Sequence, residues 1–329
     1  MSAFVELLPN IYQGVVMEKR VSQASVNLYI IKDQDSSLII DSGYDSEYSN
    51  GVLQAGLEQL NIEPSKARLL ITHAHQDHFG GASWCMQRGI QIFISKQEHE
   101  YLLAGDYFPL SVARMAGISE VDYYGIYDKG AKWAENACFD PAQMPCKIIS
   151  SGQLFSAAEY ELEVVTYKGH SREQVCLLDK RHKIMFSADQ IVTGSPSVNM
   201  RPGDYGAMYQ YLADLRAVRR MDLNYLLPGH GPLLSKHEGT IDLAVSNIEN
   251  SYYSMLELIK NILADVGQKG CSAMEIVSYM YHKDYDSYFQ NMKRSKMVMT
   301  NKVLACLEYL YESGQIGRIE SSGKLVYSR

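Results

Sequence analysis

A chain of 329 residues, 46% hydrophobic and 21% charged, can bury a full core and carries no compositional mark of disorder. Its 31 Lys and Arg against 38 Asp and Glu leave a net charge of -7, which argues against a surface that tracks nucleic acid. The longest apolar stretches, such as Ala67–Thr72 and Leu38–Ile40, are too short to cross a bilayer, and the start MSAFVELLPN lacks the basic residues and apolar run of a secretory signal.

A cytoplasmic protein without membrane contact is therefore expected. Six scattered cysteines with no close CxxC pair read as small buried thiols. The length predicts one large domain with a smaller one attached.

Strands are predicted at Ile11–Val16, Ser25–Lys32 and Ser37–Asp41, the last two joined as a hairpin across Asp33, Gln34 and Asp35. Tyr48 to Leu60 has helical spacing (Val52, Leu53, Leu57, Leu60). Ala67–Thr72 is almost wholly apolar, as in a strand buried on both faces, and leads into a polar loop from His73 to Gly81. A helix at Ala82–Gln87 and a strand at Gln91–Ser95 follow. This mixture favours sheets covered by helices.

Lys96 to Cys146 reads as a helical, aromatic-rich insertion, either a cover on the core or a lid over a cleft. Strands return at Glu161–Tyr167, Gln174–Leu178 and Lys183–Ser187, then a helix at Tyr205–Arg220 and a short strand at Tyr225–Leu227. Beyond Pro232 a long helix (Ile241–Val266), two further helices (Ser272–Tyr281, Ser295–Tyr311) and a closing hairpin across Ser322-Gly323 suggest a small winged-helix-like domain on a helical connector.

The densest chemistry lies in Thr72-His73-Ala74-His75-Gln76-Asp77-His78. Three imidazoles and a carboxylate directly after an apolar strand offer neutral nitrogens and an anionic oxygen to a divalent cation. Alternation sends His73 and His75 to one side, while Asp77 and His78 can diverge around a turn, so one segment can serve two ions. His170, Asp189 and His230 each stand near the end of an apolar strand, where loops converge. The set divides into His73, His75 and His170 for one ion and Asp77, His78 and His230 for the other, with Asp189 shared. His99, His182, His237 and His282 lack this setting.

Together with Gly169-His170-Ser171, Ser187-Ala188-Asp189 and Pro228-Gly229-His230-Gly231, the segment resembles the metallo-β-lactamase superfamily over about residues 5 to 234. The resemblance implies an α/β fold, an αββα sandwich with a dinuclear site at one edge, and the same division of ligands. Asp189 in the bridging position, with no cysteine ligand, makes the chain more similar to glyoxalase II-like thioesterases and lactonases than to antibiotic-hydrolysing members. Ala188 departs from the Gly-Asp step common in the family. The expected domains are 1–234, catalytic with an insertion at about 96–146, and 235–329, a connector helix and a mainly helical, winged-helix-like part.

The leading expectation is a hydrolase in which two divalent ions, zinc by default with iron or manganese also compatible, activate water against an ester, thioester or lactone. Asp77 is the candidate to handle the proton. Phe108 and Trp133 of the insertion, with Ser195, are candidate contacts for a small substrate with an apolar acyl part.

An RNA phosphodiesterase is the first rival, through Lys293-Arg294-Ser295-Lys296 and Lys302. The 11 Lys/Arg and 11 Asp/Glu between Ser235 and Arg329 oppose it. A ligand-sensing or interaction module with little turnover is the second rival. Gly270–Arg329 is expected to act as a cap or as a surface pairing two copies of the chain.

Overall fold

The computed structural model describes residues 3–17, 25–104, 110–124, 144–192, 206–281 and 293–329. Backbone contacts divide the chain into two compact units. The first comprises Met1–Gly105, Ala137–Ser197 and Tyr211–Val245; the second comprises Asp106–Asn136, Val198–Gln210 and Ser246–Arg329.

In the first unit, strands β1 (Phe4–Leu8), β2 (Ile11–Val16), β3 (Val26–Ile31), β4 (Ser37–Ile40), β5 (Ala67–Leu70), β6 (Gln91–Ser95) and β7 (Cys146–Ile149) form one sheet in chain order. Pairing is antiparallel from β1 to β4 and parallel from β4 to β7. The Asp33 carboxylate accepts the Asp35 and Ser36 N–H groups and so fixes the β3–β4 turn.

The second sheet runs β12-β11-β10-β9-β8, from Tyr225–Pro228, Ile184–Ala188, Gln174–Asp179, Tyr160–Tyr167 and Leu154–Ala157 respectively. Only β11 and β12 pair in parallel. Ile31, Leu38, Leu70 and Phe93 of the first sheet share one core with Leu162, Val164, Leu177, Phe186 and Leu227 of the second. Phe93 meets Phe155 edge to face, with centroids 5.1 Å apart. Helices such as Glu47–Gln59, capped by Ser46 and burying Leu53 and Leu57, complete the αββα sandwich.

Three local readings need correction. Gln76–Phe79 is a turn of α-helix with His75 at its N-cap position, where a polar loop was expected. Strands β7 and β8 are four residues each, too short for their periodicity to stand out beside the helical and turn signals around them.

The second unit contains helices Leu110–Met115, Ala273–Tyr281 and Lys293–Glu312 and the antiparallel pair β13 (Gly317–Ser321) and β14 (Lys324–Ser328). Ser272 and Glu275 form a reciprocal capping box at the start of Ala273–Tyr281. The insertion joins this unit through the Met274 N–H, which donates to Ala116 O. Buried Glu308 binds both Arg318 and the Tyr327 hydroxyl, tying the last long helix to the hairpin. Among the described residues no helix is long and apolar enough to cross a membrane.

Candidate metal centre

The site is built at the ends of β5, β9, β11 and β12. After Leu70 the chain leaves the strand and bends at His73, whose side chain is fully buried, and the helical turn at Gln76–Phe79 then presents Asp77 and His78, the His78 ring 4.1 Å from that of His73 between centroids. A Cβ at Gly80 would stand 2.3 Å from Asp45 N, so only glycine lets this turn lie against the loop after β4.

The side chains gather in two groups: His73, His75, His170 and Asp189 in one, and Asp77, His78 and His230 in the other. Within each, one ligand-capable atom per residue lies within 4.8 Å of all the others.

Asp189 joins the groups. Its Oδ2 stands 3.3 Å from His170 Nε2, 3.9 Å from His73 Nε2, 3.5 Å from His78 Nε2 and 3.3 Å from His230 Nε2. Asp77 Oδ2 lies 3.4 Å from His230 Nε2 and 3.8 Å from His78 Nε2.

Nitrogens of the first group crowd one another: His75 Nδ1 is 2.9 Å from His73 Nε2 and 3.0 Å from His170 Nε2. His78 Nε2 and Asp189 Oδ1 are buried without a hydrogen-bond partner. Convergent imidazole nitrogens and orphaned buried acceptors are costly in an apolar setting and suit a cation. The residues present therefore fit a metal. Gly229 keeps the space open, since a Cβ there would meet Asp189 Oδ1 at 2.3 Å.

The imidazoles are held from behind. His78 Nδ1 donates to Asp41 Oδ2 at 2.7 Å, and Asp41 also accepts the N–H and hydroxyl of Thr72. His230 Nδ1 lies 2.5 Å from the Ser25 carbonyl, which can only accept, so the proton sits on Nδ1 and Nε2 is left facing the carboxylates. Asn27 and Tyr29 of β3 both donate to Pro228 O, and Asn27 also reaches Gly231 O, fixing the loop that carries His230.

Sequence reading missed Asp41, Thr72, Asn27 and Tyr29 as parts of the site. The one available signal was a polar residue at each position beside or inside an apolar strand. Phe108, Trp133 and Ser195 lie outside the described residues, as do the side chains of Lys293, Arg294 and Lys296. His237 is buried, and His182 is bonded to Asp179.

The protein's own charges split the two groups. Burial, then the neighbouring His170, pushes His75 down to about 3. Burial, then His78, likewise lowers His73. For His230 burial opposes the charge, but hydrogen bonds to Asp189 and Asp77 outweigh it and raise it to about 10. Burial works the same way on His78, overcome by Asp189, Asp41 and Asp77, which lift it well above the usual imidazole range. Asp77, despite burial, is held at about 2 by His78 and His230.

In metal-stripped protein His230 thus adds stability that is fully present below pH 6.5, its ordinary value, and lost as pH rises through about 10. A cation entering that group must displace protons; one entering around His73 and His75 need not. Affinity of the Asp77–His78–His230 group is expected to rise about tenfold per pH unit for each proton displaced, and that of the other group to change little between about pH 6 and 8. Metal titrations at the two pH values check this.

Ala188, just before Asp189, has φ +45°, a left-handed conformation that strains an L residue. Ala188→Gly is expected to stabilise the fold by roughly 0.5–1 kcal/mol, the relieved strain less the added chain entropy, read as a higher denaturant midpoint with unchanged slope.

Layered sheets that carry a buried histidine–aspartate cluster at their strand ends define a metal-dependent hydrolase of the α/β sandwich type. The chain belongs to the metallo-beta-lactamase superfamily, whose sequence profile matches residues 22–230. An acyl-coenzyme A thioesterase, MBLAC2 of Gallus gallus, is 28% identical over 212 residues, covering 62% of this chain and 72% of that protein. The thioesterase pkgB of Emericella nidulans is 22% identical over 276 residues, covering 83% of this chain and 66% of its own. The crystal structure of a metallo-beta-lactamase family protein from Thermus thermophilus shares the fold at TM-score 0.69 and 18% identity, covering 98% of this chain and 100% of that one.

Proposed function

We propose that the chain is a dinuclear thioesterase, hydrolysing a small thioester with an apolar acyl part. The observation that carries this reading is the position of Asp189, one carboxylate oxygen within 3.9 Å of a nitrogen from each of four histidines, two in each group. A carboxylate so placed can neutralise two cations at once and hold them together. His73, His75 and His170 would hold one ion and Asp77, His78 and His230 the other, with Asp189 shared between them. Zinc suits this histidine–carboxylate set, as do iron and manganese.

When bound, the ions would lower the pKa of a water toward neutrality and polarise the thioester carbonyl. The side chains do the rest. Asp77 is more exposed than Asp189, with 22% of its side chain accessible against 8%. It receives the proton as the water oxygen bonds to the carbonyl carbon. The carbon–sulfur bond then breaks, and the thiolate leaves and takes up the proton that Asp77 received, giving carboxylic acid and thiol and returning Asp77 to its carboxylate. Asp41 and Ser25 O hold His78 and His230 in the tautomer this requires.

The thioesterase names of the relatives support thioester over lactone or simple ester. Release of free thiol from acyl-coenzyme A by metal-loaded protein, with bis(p-nitrophenyl) phosphate alongside, tests the reaction class. Turnover of the phosphodiester alone would overturn the acyl assignment.

Phe108 and Trp133, with Ser195, belong to the same proposal as acyl contacts. Phe108→Ala or Trp133→Ala is expected to lower kcat/KM more for long than for short acyl chains, by about 0.8 kcal/mol for each methylene left unburied, with metal content unchanged. Equal losses along the series would remove these residues from the acyl site. Gly270–Arg329, where Tyr279 is exposed, is proposed to pair two copies of the chain, checked by light scattering.

A further inference from the structure

Glu98 is a buried carboxylate, 1% exposed, in the first turn of helix Lys96–Ala104, and among the described residues no cation pairs with it. A charge taken out of water without a counter-charge is destabilising unless its oxygens are well bonded. Both oxygens are used on main chain. Oε2 accepts the Ala74 N–H at 2.9 Å, and Oε1 accepts the Glu173 N–H at 2.8 Å. Ala74 lies between His73 and His75, and Glu173 lies three residues after His170. One side chain therefore grips the two loops that carry the histidines of the first group.

The grip is returned from the other side. The Glu173 carboxylate accepts the Gln97 N–H at 3.1 Å, and the Ser95 hydroxyl donates to Glu173 O at 2.9 Å. The Val175 N–H reaches across to Thr72 O at 2.8 Å. The end of β6, the segment after β5 and the loop after β9 are thereby locked into one register, although the loops come from different sheets. By contrast, the hydrogen bonds that hold His78 and His230 run to Asp41 and Ser25, whereas those of Glu98 run to Ala74 and Glu173.

We infer that Glu98 is a positioning residue for one half of the metal centre: it sets the spacing of His73, His75 and His170 through Ala74 and Glu173 and leaves the Asp77–His78–His230 half untouched. This rests on the two-ion reading above. A carboxylate is required because both partners are N–H donors. In Glu98→Gln one oxygen becomes an NH₂ that faces an N–H, so one loop is released and the spacing of the three imidazoles is lost. A merely structural staple would lower stability without distinguishing between the two ions.

The experiment is competition of zinc-loaded full-length protein against a chelator, read as zinc retained per chain, for wild type and Glu98→Gln, with thermal unfolding of each stripped protein alongside. Wild type is expected to retain two equivalents and release them in two steps. The variant is expected to lose one equivalent roughly 10–100-fold more readily, with the other step unmoved, as for loss of an outer-shell partner. Should the glutamine variant fail to fold, Glu98→Asp, which keeps both acceptors on a stem one methylene shorter, is read in the same way. Two unmoved steps, or an equal shift of both, would overturn the role of Glu98. A wild-type chain that binds no zinc would instead overturn the two-ion reading itself.

Discussion

Replacing Asp189 by alanine is expected to empty both halves of the metal centre and to lower kcat/KM by roughly a thousand-fold or more, about 4 kcal/mol of transition-state stabilisation. Its Oδ2 stands near nitrogens of both groups, so its loss removes the anion that lets two cations sit close together. It also leaves His78 without its largest favourable charge partner. His230→Ala serves as the contrast: it should weaken mainly the ion of its own group, leaving about one equivalent. Elemental analysis of both variants checks the difference. Retention of two equivalents in Asp189→Ala would show that the carboxylate is not shared.

Asp41→Asn is expected to weaken metal binding and activity by roughly 10–100-fold with the chain still folded. The carboxylate is buried and accepts from the Thr72 N–H, the Thr72 hydroxyl and His78 Nδ1. An amide offers a single acceptor oxygen. If that oxygen keeps the Thr72 N–H, the NH₂ faces His78 Nδ1, which must then accept, and the imidazole proton moves to Nε2, the nitrogen aimed at the site. The loss should therefore fall on the Asp77–His78–His230 group and grow as pH falls, since protons already compete there. Full activity in Asp41→Asn would mean that the tautomer of His78 is set by something else.

The seven residues of the cluster were legible in the sequence because four of them crowd into six positions and the rest end apolar strands, a local signal. Asp41, Asn27 and Glu98 were not legible. Each acts through a contact 24 to 204 residues away, and each looked locally like a turn residue, a strand polar residue or a helix-surface acid. In strand β3 the wholly buried run Val26–Ile31 gave the strand but no reason for its asparagine until the His230 loop was seen against it. That helices cover the sheets followed from the mixture of strand and helix patterns, whereas β7 and β8 carry too few residues to display a period. The left-handed backbone of Ala188 was likewise hidden, since alanine gives no sign of such a conformation where glycine would.

The most direct measurement of the central claim is the rate of thiol release from an acyl-coenzyme A as zinc is returned stepwise to stripped protein. No turnover is expected without metal, and the rate should level off at two equivalents per chain, with Asp189→Ala inactive throughout. Full turnover in stripped protein, or none at any loading with zinc shown to be bound, would contradict it.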